Sequence, residues 1–259
     1  MIRVTLPFDV AGSGPPVVLL HAGVADRRMW AGLLPVLAER FRVLAPDLPG
    51  YGDAPLSPGR FSNVAEVLAV LDDQGLESVA LVGASFGGRV ALEVATAAPD
   101  RVDRLVLLCP GLRGVAPTAA SEAFDAQEEE LLEAGDVAGA VRLNVETWLG
   151  PEADDSARDL LTRMQRRAFD VQLAADEWSD PPTPIRDDVD LSRLAVPTTV
   201  LRGAHDVDWL QHAARQVAAG VPGTTLVELD WAGHLPALER PAETADLVLD
   251  ALADNALKT

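Results

Sequence analysis

The fold of this chain is decided at residues 83–88, which read Gly83-Ala84-Ser85-Phe86-Gly87-Gly88. This stretch follows an apolar segment, residues 78–82, and opens a segment with helical spacing of apolar residues, 86–97. A serine on a tight turn from strand to helix is exposed, and the turn is so crowded that its neighbours must be small. The helix N-terminus also supplies free N–H groups and the positive end of a dipole, which stabilise an oxyanion. This context predicts Ser85 as a nucleophile, against the alternative of a purely structural turn.

Short apolar segments on both sides of this turn predict the strands of one sheet. Each is rich in Val and Leu and is bounded by Gly, Pro or Asp; they are residues 16–21, 41–45, 78–83, 102–108, 198–202 and 224–229. Continuous apolarity indicates strands that are covered on both faces, as in a parallel sheet. Segments with helical spacing lie between them, at residues 29–38, 64–73, 86–97, 210–219 and 242–253. The alternation predicts an α/β fold with a doubly wound, mostly parallel sheet.

Residues 115–190 interrupt this alternation, because they contain no convincing strand signal. Three helical stretches occupy residues 118–134, 137–149 and 156–178, and a proline-rich return follows at 180–184. We interpret the region as an inserted helical lid, since strand signals resume directly after it; an independent helical domain is the alternative. The predicted organisation is an α/β core formed by residues 1–114 and 191–259, with a cap at 115–190.

Composition and charge exclude several classes of function. The 259 residues include 40 acidic and 21 basic side chains, which gives a formal net charge of −19. Such a surface repels phosphate backbones and anionic lipids, so we expect neither nucleic-acid nor membrane-surface binding. Because Cys109 is the only cysteine, no intramolecular disulfide can form, and we expect it to serve in packing. Residues 1–7 lack the apolar stretch of a signal peptide and no segment is long enough to span a bilayer, which favours a cytoplasmic protein.

A serine hydroxyl needs a base, and His234 is the best of four histidines. It lies in a loop after the last predicted strand, which can reach the carboxyl edge of the sheet where Ser85 lies. The base needs a carboxylate to orient it; Asp206 follows the strand at 198–202, and Asp208 and then Asp230 are its rivals. The order Ser85, Asp206, His234 is the Ser…Asp…His order of α/β-hydrolases. Cys109 and the scattered histidines offer no ligand cluster, so neither a metal nor another cofactor is expected.

The chain resembles the α/β-hydrolase superfamily over nearly its whole length, and most of all the small capped esterases, enol-lactonases and cofactor-free haloperoxidases. Five blocks carry the resemblance: His21-Ala22-Gly23, Asp47-Leu48-Pro49-Gly50-Tyr51-Gly52, the serine turn, Gly203-Ala204-His205-Asp206, and Gly233-His234 with Glu239-Arg240-Pro241. The resemblance implies that the N–H groups of Gly23 (with Val24 as an alternative) and Phe86 hold the oxyanion. It also implies a structural role for His21. The family usually has His-Gly where this chain has His21-Ala22, and few residues precede Pro16, so the first antiparallel strand is expected to be missing.

These observations predict a serine hydrolase that cleaves an ester or lactone of a small to medium, largely apolar substrate through an acyl-enzyme. The predicted substrate contacts are Val24, Trp30, Trp148 and Leu235. Arg27, Arg28 and Arg89 are candidates for anchoring a substrate carboxylate, although ordinary surface charge explains them as well. Two alternatives stay open, namely hydrolysis of a carbon–carbon bond with the same residues and a non-catalytic binding protein. The sequence leaves the oligomeric state open.

Overall fold

A computed structural model describes residues 6–253 of the chain. Expectations about residues 1–5, including the lack of a signal peptide, and about residues 254–259 lie outside the described part. Nine strands are formed: β1 (Phe8–Ala11), β2 (Pro16–Leu20), β3 (Arg42–Pro46), β4 (Arg60–Phe61), β5 (Val79–Ala84), β6 (Val102–Leu108), β7 (Thr183–Pro184), β8 (Thr198–Gly203) and β9 (Thr225–Leu229). Seven of them form one sheet in the order β1-β3-β2-β5-β6-β8-β9, while β4 and β7 pair separately. The serine turn therefore leaves the central strand of the sheet, β5.

The main sheet is parallel except at one edge, which confirms the predicted doubly wound, mostly parallel α/β fold. Strands β2, β3, β5, β6, β8 and β9 pair in parallel. At the edge, β1 runs antiparallel to β3, with Phe8 opposite Pro46. The expectation that this first antiparallel strand is missing is wrong. It is an edge strand with Val10 52% exposed, so it lacks the continuous apolar run that marks the inner strands.

Alternate residues of the inner strands pack into two cores, one on each face of the sheet. Val17 and Leu19 belong to one core, whereas Val18 and Leu20 belong to the other, and all four are fully buried. Successive side chains of a strand point to opposite faces, so covering both faces requires every position to be apolar. This is the physical origin of the continuous apolar segments in the sequence.

Nine α-helices surround the sheet in the described part of the chain. They are α1 (Leu34–Leu37), α2 (Asn63–Asp73), α3 (Phe86–Ala97), α4 (Ala119–Glu133), α5 (Val137–Trp148), α6 (Asp155–Asp176), α7 (Asp208–Gly220), α8 (Pro236–Glu239) and α9 (Pro241–Ala253). The single helix predicted at residues 29–38 is wrong. That segment holds a short 3-10 helix, Arg27–Trp30, and the one turn of α1. Pro35 in the segment has no N–H to continue a helix, and Gly32 packs closely on Pro241.

Helices α4, α5 and α6 are inserted between β6 and β8, close to the predicted bounds. The prediction that residues 115–190 contain no strand is wrong in one detail, since β7 pairs with β4 at Arg60 opposite Thr183. Two residues are too few to give a periodic pattern, so this pairing left no signal in the sequence. Of the helices that the structure describes, none combines the length and apolarity that crossing a membrane requires.

Candidate active site

Ser85 occupies a strained backbone conformation at the end of β5. Its φ is 49° and its ψ is −111°, and Ser85 and Cys109 are the non-glycine residues with positive φ in the described chain. Such conformations cost about 1–3 kcal/mol and persist where the surroundings enforce them. A Cβ on Gly87 would collide with the carbonyl groups of Leu20 and His21, and one on Gly83 would collide with the backbone of Gly87. The two glycines therefore allow the backbone approach that the sequence pattern predicted.

Backbone hydrogen bonds hold the turn from three directions. The Ser85 N–H donates to the Leu108 carbonyl at 2.9 Å, and the Ser85 carbonyl accepts from the N–H groups of Arg89 (3.0 Å) and Gly111 (2.9 Å). The backbone N–H and carbonyl of Ser85 are thus both hydrogen-bonded, and the side-chain hydroxyl is not needed to hold the turn.

His234 and Asp206 form a buried pair near this turn. Nδ1 of His234 lies 2.9 Å from Oδ2 of Asp206, and the two side chains are 2% and 0% exposed. The loop that carries His234 is held by the inserted helices, because the His234 N–H donates to the carbonyl of Trp148, at the end of α5, at 3.1 Å. The Trp148 ring lies 5.0 Å from the imidazole, measured between ring centroids. Since Nδ1 faces the carboxylate, this carboxylate favours a proton on Nδ1 and leaves Nε2 as the basic nitrogen.

The rival acid, Asp208, is directed elsewhere. It is the first residue of α7, and its Oδ1 accepts a hydrogen bond from the Thr118 hydroxyl at 2.9 Å. An acid at the start of a helix is favourable there because it faces the positive end of the helix dipole. The geometry thus assigns the imidazole contact to Asp206 and a helix-start position to Asp208.

Two cavities meet at Ser85. The smaller, of about 250 Å³, is bordered by both Ser85 and His234, together with Val24, Trp148 and other insertion residues. The larger, of about 560 Å³, is bordered by Ser85, Phe86 and Gly23 but not by His234. No hydrogen bond joins Ser85 to His234 within the described residues, although the two side chains border one cavity. The geometry therefore brings Ser85 and His234 to one cavity without a direct hydrogen bond between them.

The predicted oxyanion donors lie at this junction. Gly23 borders both cavities and Val24 borders the smaller one. A Cβ on Gly23 would lie 3.3 Å from the Cβ of Phe86, so the two backbone segments are neighbours. Phe86 opens α3, where the first N–H groups of a helix have no partner within the helix. An oxygen bound at this junction could receive both N–H groups.

Two predicted substrate contacts are placed differently by the structure. Trp30 and Leu235 are fully buried in the core on one face of the sheet, and neither borders the two cavities beside Ser85. Each follows a predicted site residue closely in sequence, but the chain turns inward at these positions and packs the side chains away from the cavities. Of the four predicted substrate contacts, Val24 and Trp148 are the two that border a cavity beside Ser85.

The other histidines are separated from this site. His21 is fully buried; its Nδ1 donates to the Ala22 carbonyl at 2.8 Å, and its Nε2 accepts from the Leu48 N–H at 2.9 Å. Burial lowers the pKa of His21, which keeps the imidazole neutral. His205 and His212 are exposed.

Cys109 is closer to the pair than the sequence suggests. Its Sγ, the His234 ring and the Asp206 carboxylate lie within 4.8 Å of one another, so the prediction that these residues offer no ligand cluster is wrong. The thiol is fully buried, and it contacts the Gly203 N–H (3.4 Å) and the Gly233 carbonyl (3.6 Å). Burial raises the pKa of the Cys109 thiol well above its usual range. A neutral thiol enclosed by backbone is a packing group behind Asp206.

The three candidate arginines lie in different surroundings. Arg27 forms ion pairs with Asp9, Asp47 and Asp53, and Arg28 pairs with Asp26, all away from the cavities at Ser85. Arg89 borders the larger cavity beside Ser85. Of the three, only Arg89 is placed where a substrate at Ser85 could meet it.

Several polar residues of the site have roles that the sequence did not predict. Glu239 is 7% exposed, and its carboxylate accepts from the N–H groups of Gly233 (2.7 Å) and Leu235 (3.0 Å) on both sides of His234. Burial raises the pKa of Glu239, while these backbone N–H groups oppose the rise. The smaller cavity also has a polar wall from the insertion, formed by Glu128, Asn144, Gln165 and Gln172. In the sequence, the signal for this wall was that polar residues occupy the buried faces of the insertion helices.

The chain is similar in sequence and fold to known hydrolases. The family model described as "Alpha/beta hydrolase family" matches residues 17–247. The uncharacterized protein Mb2734 of Mycobacterium bovis is 33% identical, over 93% of this chain and 76% of its own length. Carboxylesterase YbfK of Bacillus subtilis is 27% identical, over 92% of this chain and 80% of its own length. A solved structure of a thermophilic esterase from Thermogutta terrifontis has a TM-score of 0.78 and 26% identity, covering 96% of this chain and 93% of that one.

Proposed function

Because the chain belongs to the alpha/beta hydrolase family, we propose that it is a serine hydrolase that cleaves carboxylic esters or lactones through an acyl-enzyme. One observation carries the proposal: a strained serine shares a cavity with a histidine whose other nitrogen faces a buried carboxylate. A similar carboxylesterase and a similar esterase structure support this choice among the reactions of the family.

In the proposed reaction, Ser85 attacks the carbonyl carbon while Nε2 of His234 takes the hydroxyl proton. The N–H groups of Gly23 and Phe86 stabilise the oxyanion; Gly23 is preferred to Val24 because it borders both cavities. The protonated His234, stabilised by Asp206, then donates the proton to the leaving oxygen, and the acyl group stays on Ser85. A water molecule deprotonated by His234 releases the acid and restores the serine.

We also propose that residues 115–190 act as a lid on one core domain formed by residues 1–114 and 191–259. Supporting this, Phe124, Trp148 and Phe169 of the insertion border the smaller cavity with Ser85. Excluding water there would strengthen the electrostatic interactions of the site. Val24 and Trp148 are the proposed substrate contacts. The proposed partner is a small-molecule ester or lactone, and the single, buried cysteine fits a proposed cytoplasmic location.

Labelling with a fluorophosphonate probe tests the nucleophile, and stopped-flow turnover of a p-nitrophenyl ester tests the acyl-enzyme. We expect the wild-type protein and the Ser78→Ala control, which removes a half-buried serine bonded to Asp103 and outside both cavities, to be labelled. The Ser85→Ala variant should be unlabelled and inactive. Wild-type turnover should show a burst of one p-nitrophenolate per protein when deacylation limits the rate. Labelling that survives in Ser85→Ala, or ester turnover that survives in it, would disprove the assignment.

A further inference from the structure

Of the two cavities at Ser85, only one is bordered by His234, the residue proposed to protonate the leaving group. The histidine of such a reaction gives its proton to the leaving oxygen, so the alcohol must lie on the histidine side. The smaller cavity is bordered by His234 and the larger one is not. The larger cavity, of about 560 Å³, is therefore the acyl side. This assignment rests on the proposed function.

The acyl side contains an arginine whose charge is poorly matched by the protein. Arg89 lies one helical turn after Ser85 on α3, with its guanidinium carbon 4.8 Å above the centre of the Phe86 ring. Its side chain is 24% exposed, and its Nε is 3.7 Å from the Glu93 carboxylate. The Arg89 guanidinium makes no hydrogen bond to any residue that the structure describes, and its buried Nε has no hydrogen-bond partner. A guanidinium has five N–H donors, so its hydrogen-bonding capacity is unused here.

The acid nearest to Arg89 is already engaged by another cation. Glu93 accepts a hydrogen bond from Nε of Arg113 at 3.0 Å, shorter than its contact with Arg89. Burial and the charge of Arg113 lower the pKa of Arg89, and Arg186 acts in the same direction. Asp176 also borders the cavity but forms no ion pair with Arg89 within the described residues. A partly buried, incompletely paired charge is costly, and an anion entering the cavity would relieve that cost.

A second unpartnered polar group faces the same space. Asn63 borders the larger cavity, is 3% exposed, and its Oδ1 has no hydrogen-bond partner. The wall of this cavity also includes the apolar side chains of Leu56, Phe61, Leu112 and Leu210, beside the polar Tyr51, Gln172 and Asp176. A cation beside apolar side chains suits an acyl chain of methylene groups that ends in a carboxylate. Toward such a carboxylate Asn63 can donate only through its side-chain NH₂, because Oδ1 is an acceptor.

We propose that this hydrolase prefers half-esters of dicarboxylic acids, with the ester carbonyl at Ser85 and the free carboxylate bound by Arg89. Carboxylates and guanidinium groups form paired, charge-assisted hydrogen bonds, which makes Arg89 the specificity-determining residue of the acyl side. The alcohol is small, because the cavity on the histidine side measures only about 250 Å³.

Monoethyl adipate and ethyl hexanoate test the proposal, because they share the ethanol leaving group and the six-carbon acyl chain but differ in the terminal carboxylate. The readout is the ratio of their kcat/KM values, measured by released ethanol. We expect the wild-type ratio to favour monoethyl adipate, and Arg89→Met to lower the ratio about tenfold or more, as for a lost hydrogen bond to a charged group. Arg89→Lys, which keeps the charge, should retain part of the preference.

Arg186→Met is the matched control, because Arg186 is exposed, does not border the cavity, and affects Arg89 only through its charge. We expect its ratio to stay close to the wild-type value. An equal fall in the ratio for Arg186→Met and Arg89→Met would mean that general positive potential, and not contact with Arg89, sets the preference. A wild-type ratio near one would overturn the proposed substrate class but leave the serine hydrolase intact.

Calorimetric binding of monoethyl adipate to the Ser85→Ala protein separates this proposal from the proposed function. We expect binding that is lost in the Ser85→Ala, Arg89→Met double variant. If the wild type hydrolyses neither ester while this Arg89-dependent binding persists, the anion site stands and the hydrolase proposal fails. If monoethyl adipate does not bind, or binds equally without Arg89, the anion site is disproved.

Discussion

The His21 loop and the His234 loop both bring a buried histidine to the carboxyl edge of the sheet, yet the two side chains are held in opposite ways. Both ring nitrogens of His21 are occupied by backbone groups, those of Ala22 and Leu48. In His234, one nitrogen faces Asp206 and the ring borders the cavity with Ser85. His21 is 0% and His234 is 2% exposed, so burial does not distinguish them.

The difference teaches what a buried histidine needs in order to act as a base. One nitrogen must be oriented by a partner that favours the imidazolium, and the other must remain unbonded and reach the reacting group. His21 has its orientation and no unbonded nitrogen, which makes it a fixed hydrogen-bonding link between two loops. Substitutions of the two histidines test this difference.

The largest expected effect is the loss of turnover in His234→Ala, about 10⁶-fold in kcat for the removal of such a base. His21→Gln should instead lower the free energy of unfolding by about 1–3 kcal/mol, because a buried backbone donor or acceptor loses its partner. Steady-state kinetics and urea unfolding of both variants measure these effects. A stable His21→Gln protein with a collapsed kcat would contradict the structural role of His21.

Next in size is the effect of the carboxylate beside His234. Asp206→Asn should lower kcat about 10⁴-fold with the fold intact, because an amide favours the wrong imidazole tautomer. Asp208→Asn should keep most of the turnover and cost about 0.3–1 kcal/mol of stability, the usual contribution of an acid in the first turn of a helix. The reverse pattern in kcat would show that the Nδ1 contact with Asp206 does not orient the base.

The titration of His21 should make the free energy of unfolding depend on pH. Its pKa is lowered on folding, so below the unfolded value of 6.5 the unfolded chain binds the proton more readily than the folded chain. The stability that neutral His21 contributes is therefore present above pH 6.5 and is lost as pH falls, by up to about 1.4 kcal/mol per pH unit. Urea unfolding at pH 7.5 and 5.5 should show a smaller loss in His21→Gln than in the wild type. Equal losses in the two proteins would show that His21 does not titrate on unfolding.

The smallest expected effect is that of substituting Cys109. This substitution tests whether His234 deprotonates the Ser85 hydroxyl or the nearby Cys109 thiol. Cys109→Ala should cost about 1 kcal/mol of stability, as a typical single substitution does, and should keep its turnover. Iodoacetamide should leave the native wild-type enzyme active, because the thiol is buried and its pKa is raised. Inactivation by iodoacetamide, together with an inactive Cys109→Ala protein, would transfer the nucleophile from Ser85 to Cys109.

Much of the fold was predictable because apolar periodicity follows directly from burial. The six parallel strands and helices α2, α3, α7 and α9 lie within about two residues of the predicted segments. The edge strand β1 and the two-residue strands β4 and β7 were not found, since exposed or very short strands lack that periodicity. The broken helix near Pro35 shows a local rule, the missing proline N–H, outweighing an apolar pattern.

The chain order and the glycine spacing determined the residues of the candidate site: Ser85 on its turn, and Asp206 and His234 on loops at the same edge of the sheet. Local sequence determines these positions because a strained turn requires glycines and because parallel strands end together. Only the tertiary structure decided which histidine nitrogen is free, that Trp30 and Leu235 point into the core, and that Arg89 faces a cavity with its charge poorly matched. These properties depend on distances between segments far apart in the chain, and composition and spacing do not contain those distances.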